Sequence, residues 1–207
     1  MTASNAAVAQ DHTAQSSSRA AALRRATAAL HAQVDAAVMA GQPLDDRGRY
    51  ARFLATQYRF HQLAPAFFQD EALNQWFPGL AGRNRLAAVE QDCRDLGVDT
   101  AALREAALPA PRGAADRAAA VGWLYVIEGS NLGAAFLYKR ALLLGLSAEF
   151  GARHLAPHAD GRAPHWHQFV AQLDAAPVAA QDEAQTLEGA RQAFARVIAF
   201  ARAAAMA

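Results

Sequence analysis

Three groups of residues in this 207-residue chain have types and spacings suited to chemistry. The first centres on His31 in ATAALHAQVD. His31 borders an apolar stripe of Leu30, Val34 and Val38, so one edge of its ring faces inward. Asp35 follows one helical turn later, where its carboxylate accepts the other ring N–H, as an orienting partner does for a metal-ligating histidine. Arg24 precedes by two turns, about 10 Å along the axis, and offers a cation to an acidic substituent. The set reads either as a metal ligand with its orienting carboxylate and an anion contact, or as a half-exposed histidine capped by a neighbour.

The second group is the glycine series in VGWLYVIEGSNLGAAFLYK, residues 121–139. The flanking composition is helical, yet Gly122, Gly129 and Gly133 interrupt it, with Ser130 and Asn131 between the last two. Each internal glycine costs a helix roughly 1 kcal/mol relative to alanine, so three of them imply a compensating need. Glycines four apart share a face and let backbone approach something closely. Spacing leaves two occupants open: a neighbouring helix, or a flat ligand. The third feature is Lys139, the chain's single lysine beside 19 arginines. It stands at the far end of the same segment and reads either as chance in an arginine-biased composition or, if the segment covers a ligand with carboxylates, as a group placed with Arg140 to meet them.

The elements needed to hold these groups are helical throughout. Alanine occupies 56 positions, and no segment alternates in the manner of a strand, so the fold class is all-α, a single multi-helix domain. Serines 16–18 and Gly41–Pro43 bracket a first helix over residues 19–40. A second helix starts near Asp45 or Asp46, passes Phe60 and bends at Pro65. Shorter helices are expected at 84–96, closed by Gly97, at 100–107, at 147–155 and at 166–173. A long apolar helix runs over 114–144, and the last over 182–205. Residues 1–18 are polar and read as a flexible tail, leaving 19–207 as the folded domain.

Composition excludes several classes of protein. The 20 basic and 19 acidic side chains leave a formal charge of +1, without the electrostatic footprint of a nucleic-acid binder. A single cysteine, Cys93, allows no internal disulfide, CxxC pair or CxxCH haem attachment, and it lacks the neighbours of a nucleophile. No apolar run approaches the roughly 20 residues of a membrane span, and no signal peptide is visible. The expected location is the cytoplasm. His154 and His158 are spaced four apart but separated by Pro157, which argues against a shared metal site.

LRRATAALHAQVD and LYVIEGSNLGAAFLYK, taken together with the distance between them, resemble the bacterial haem oxygenases over most of the chain, from about Leu23 to the closing helix. The resemblance implies oxidative cleavage of haem to biliverdin, CO and free iron, using O2 and an external reductant, with haem as both substrate and cofactor. It implies haem held between a proximal helix and a kinked distal helix. His31 then matches the proximal iron ligand and Asp35 the acidic residue that follows it and orients its ring. Gly129, Ser130 and Gly133 match the distal, catalytic stretch, Arg24 and Lys139 fit propionate contacts, and Tyr125 falls near the pocket mouth. Ser130 stands where the better-known branch of the family has aspartate, so Ser130 and backbone carbonyls become the expected organisers of distal water. Arg24 points to cleavage at the α-meso carbon. The implied partners are haem, an electron donor such as a ferredoxin or flavin reductase, and a bilin-binding photoreceptor as a product acceptor. The alternative function is a non-catalytic haem carrier with the same pocket.

Overall fold

The computed structural model describes residues 18–206; of the tail expected over residues 1–18, all but Ser18 lies outside them. Eight α-helices are present among the described residues: α1 Arg19–Ala40, α2 Arg47–His61, α3 Pro65–Gln69, α4 Glu71–Trp76, α5 Leu86–Asp95, α6 Ala114–Leu143, α7 Arg162–Ala175 and α8 Glu183–Ala205. The only extended pairing among the described residues is one isolated bridge between Ser147 and Gly151.

Local chemistry sets most boundaries. Ser18 caps α1, its Oγ accepting from the Ala21 N–H at 3.1 Å, and Asp46 caps α2 by accepting from the Arg49 N–H at 2.8 Å. Gly97 and Gly145 take left-handed conformations just beyond α5 and α6. The first helix ends differently from expectation. Gly41 stays right-handed, and Gln42 takes the positive φ of 46°.

Three expected elements are corrected. The second helix does not bend at Pro65 but stops at His61, and Pro65 opens the separate α3 at its first turn. The helix expected over 100–107 shrinks to a 3-10 turn, Ala101–Leu103. That over 147–155 becomes a bridged turn followed by the 3-10 turn Arg153–Leu155. Gly151, at φ 73°, needs the backbone freedom that breaks the latter helix.

Helix α6 runs unbroken for 30 residues through all three glycines. They do different work. A Cβ on Gly122 would lie 1.9 Å from the Thr186 carbonyl oxygen and 2.6 Å from the Ala190 nitrogen, while one on Gly189 of α8 would lie 2.0 Å from the Ala119 carbonyl oxygen. Gly122 and Gly189 therefore let α6 and α8 cross backbone to backbone. Around the crossing, Val121, Leu124, Ala190, Ala193 and Phe194 join the principal core. Gly122→Ala should destabilise the fold by about 3 kcal/mol, because the obstruction is backbone that cannot step aside. A thermal melt should show a fall of roughly 6–12 °C; an unchanged midpoint would contradict the close crossing.

Candidate haem site

Between α1 and α6 lies a cavity of about 760 Å³, within the range of cofactor-sized sites. One wall comes from α1 through Arg24, His31, Val34, Asp35, Val38 and Met39. The facing wall comes from α6 and includes Tyr125, Gly129, Ser130, Gly133 and Phe136. Phe53, Phe60, Phe194 and Val197 close the interior, so most of the lining is apolar.

His31 projects into this space with 65% of its side chain exposed, and its Nδ1 lies 3.1 Å from Asp35 Oδ2. With Nδ1 turned to the carboxylate, Nε2 is the ring nitrogen that faces away from Asp35, the arrangement in which a carboxylate orients an imidazole. Phe194 packs edge-on against the ring at 6.1 Å between centroids, which limits its swing. Across the cavity, a Cβ on Gly133 would meet nothing within 4 Å, and one on Gly129 would touch only the Trp166 indole at 3.8 Å. Neither glycine has another helix's backbone packed against it. The space that side chains there would fill belongs to the cavity.

Arg24 lines the same mouth and has no carboxylate partner among the described residues. Tyr125 stands near it, and burial pushes its phenol above the ordinary tyrosine value. Both can therefore meet an acidic substituent of the ligand. Lys139 is exposed and does not line the cavity. Six residues turn a helix by about 600°, so Lys139 points some 120° away from the Gly133 face. Ser130 does line the cavity, but its hydroxyl donates to the Ile127 carbonyl at 2.7 Å, so it can offer only lone pairs to a water.

The polar end of the cavity comes from residues that the sequence reading passed over. Asp92 is wholly buried and accepts from the backbone N–H groups of Arg153 and His154, from the Arg153 guanidinium, and from His154 Nδ1 at 2.8 Å. This clamp fixes His154 with its Nε2 lone pair unpartnered on the cavity side. His61, also lining the cavity, is lowered to about 3, chiefly by burial and then by His154 and Arg85; its ring is neutral, with Nδ1 unpartnered. Asn131 presents an unpartnered amide nitrogen beside them. Sequence spacing offers no signal for this group, since Asp92 and His154 stand 62 residues apart. Among the described residues, no cluster of three or more His, Cys, Asp or Glu side chains could hold a metal ion.

An all-helical domain in which an imidazole on one helix faces a glycine-lined helix across a largely apolar cavity has the architecture of a haem-binding oxygenase. The family model for heme oxygenase matches residues 17–203. The chain is 43% identical over 171 residues to heme oxygenase PigA of Pseudomonas aeruginosa, covering 80% of this chain and 82% of the relative. It is 35% identical over 162 residues to a heme oxygenase of Xanthomonas campestris pv. campestris, covering 75% and 90%. The solved structure of the NO- and CO-bound heme oxygenase of Neisseria meningitidis superposes with a TM-score of 0.82 at 40% identity, covering 92% of this chain and 93% of that one. The chain belongs to the haem oxygenase family. It is an oxidoreductase that binds haem and degrades it to biliverdin, CO and iron. No helix among the described residues is long and apolar enough to cross a membrane.

Proposed function

We propose that His31 is the proximal iron ligand and that Gly129 and Gly133 form the opposite ceiling under which O2 reacts. The supporting observation is the pairing across one cavity of an imidazole with a free Nε2 and a helix face on which a Cβ at Gly133 would meet nothing. Bound haem supplies both the ring to be cleaved and the iron that activates O2. The protein's own residues do the rest. Asp35 holds the His31 tautomer and aims Nε2 across the cavity. The bare backbone at Gly133 leaves room above the ring, and the apolar lining excludes bulk water. His61, His154 and Asn131 offer unpartnered nitrogens to water at the polar end, and Ser130 offers its lone pairs. The electrons come from an external reductant, with a ferredoxin or flavin reductase as donor, and a bilin-binding photoreceptor is a candidate acceptor of the product. The reaction is assigned to the cytoplasm.

Mixing the protein with haemin and a chemical reductant under air tests the reading. Bleaching of the Soret band with formation of a verdin supports it, whereas a stable, bound but unreacted haem would favour the carrier alternative.

Arg24 and Tyr125 at the mouth orient the ring through its propionates and favour cleavage at the α-meso carbon. Arg24→Ala should weaken that preference by about 1 kcal/mol, the value of an exposed ion pair, which is roughly a fivefold change in isomer ratio. Chromatography of the biliverdin isomers reads this directly. A wild-type product that is mainly β or δ contradicts the assignment.

A further inference from the structure

Behind the glycine stretch of α6 lies a second, smaller space. It is a surface cleft of about 10 Å³ lined by Glu128, Asn131, Arg85, His158, Arg162 and His165, among others, with room for about one water molecule. Asn131, Leu132 and Trp166 line both this cleft and the haem cavity, so the two spaces share a wall.

Glu128, immediately before Gly129, is 2% exposed. Its Oε2 accepts from Arg83 Nη1 at 2.7 Å, and Arg83 is itself 4% exposed. Its Oε1 has no partner. A buried Arg–Glu pair gives little net stability, and an unpaired carboxyl oxygen costs more still, so packing alone does not account for the arrangement. The other groups facing Glu128 are fixed. Arg83 also donates to Gln168 Oε1 at 3.0 Å and to the His165 carbonyl at 3.3 Å. Arg83 Nη1 lies 2.8 Å from His165 Nε2, and burial followed by the Arg83 charge lowers His165 to about 4, so that nitrogen accepts. His158 stacks on His165 at 4.2 Å and pairs with Asp160 at the surface. Arg162 is tied to the carbonyls of Asn131 and Leu155. The Arg85 side chain makes no hydrogen bond among the described residues and acts on Glu128 only through its charge. Burial raises the Glu128 carboxyl above the ordinary range, against the pull of Arg83 and Arg85. Of the carboxyl groups lining the two spaces, Asp35 lies on α1 beside His31, and Glu128 is the one on the α6 side.

We propose that Glu128 is an internal proton carrier, taking protons from solvent through the cleft at His158 and His165 and passing them beside Asn131 to the α6 side of the haem cavity. The Glu128 O–H bond breaks as a water on the cavity side gains the proton. The carboxylate then regains a proton from hydronium in the cleft, so Glu128 is unchanged after each cycle. The haem oxygenase reaction, on which this inference rests, consumes such protons as oxygen atoms of O2 leave as water.

The test compares wild type with Glu128→Gln and Asn131→Leu. Infrared difference spectra of the haem-free wild type across a pH titration should contain a carboxylic C=O band that shifts in D2O and is absent from Glu128→Gln. With haemin and a chemical reductant, Glu128→Gln should lower kcat at least about tenfold with KM unchanged, in keeping with loss of a proton-transfer group. Asn131→Leu should retain the band and also lose turnover. A band common to wild type and Glu128→Gln, or a Glu128→Gln kcat within twofold of wild type, overturns the proposal. If Glu128→Gln fails to fold, Asn131→Leu decides, and undiminished turnover there overturns it equally. Wild-type protein that makes no biliverdin would instead refute the site assignment above, and the infrared comparison would still report on Glu128.

Discussion

Gly133→Leu should make the haem-free protein more stable and the enzyme nearly inactive. Two of the three glycines interrupting α6 have no packing reason to be glycine, and Gly133 is the clearer one, since a Cβ there meets nothing within 4 Å. In the haem-free protein, a leucine at this point exchanges the poorest unconstrained helix former for a good one, worth roughly 0.8 kcal/mol, or an upward shift of about 2–3 °C in the melting midpoint. The same side chain projects into the cavity. Forcing several methylenes into the ligand's space costs about 2 kcal/mol or more, which weakens haem binding roughly thirtyfold. Turnover should fall at least as far, because the ring must seat under the ceiling before it can be oxidised. A melt and a haemin titration on one preparation check both halves. A destabilised haem-free protein would mean that Gly133 serves packing, and unchanged haem affinity would mean that the ligand lies elsewhere. Gly122→Ala, which collides with the Thr186 carbonyl, supplies the opposite behaviour on the same helix.

That contrast marks how far the sequence was legible. Periodicity and caps located α1, α6 and α8, the elements that build both cavity walls, to within a residue or two. They did not separate the jobs of the three glycines. A glycine looks the same in sequence whether Thr186 or open space faces it, and the difference depends on where α8 crosses. Residues 100–107 and 147–155 misled for a related reason. Their local composition favours helix, but their backbones are held by distant groups. The Leu108 N–H donates to the Leu63 carbonyl, and the Gly151 and Arg153 N–H groups donate to Asp95 and Asp92. Tertiary partners override propensity there.

The site divides along the same line. His31 and Asp35 were readable because four residues on a helix guarantee adjacency. Arg24 and Tyr125 both line the cavity. Lys139 does not line the cavity, because helical phase turns it from the Gly133 face. Glu128, His61, Asp92 and His154 were invisible as a group. His61 and His154 line the cavity from different elements, Asp92 holds His154 from behind, and Glu128 lines the neighbouring cleft, and no short-range pattern records such convergence.

His31→Ala should give the largest loss of function of any single substitution in the chain. The His31 ring reaches into open space, with Asp35 on Nδ1 and Phe194 at its edge, so truncation removes no buried packing. The fold should survive, with a melting midpoint close to wild type. Axial ligation is a principal means by which a protein controls haem iron, and no other residue of α1 lining the cavity is a histidine or cysteine. Turnover should therefore fall well beyond the roughly 10- to 100-fold that loss of an orienting partner costs, and the haem-loaded spectrum should lose its proximal imidazole character. Asp35→Ala should fall within that milder range, since it frees the tautomer but keeps the ligand. Millimolar imidazole diffusing into the space left in His31→Ala should restore the wild-type spectrum and part of the activity. It should do neither in Gly133→Leu, where the obstruction is on the opposite wall. A His31→Ala spectrum identical to wild type would move the iron ligand to one of the cavity's other imidazoles, His61 or His154, and would place the ring at the polar end, away from α1.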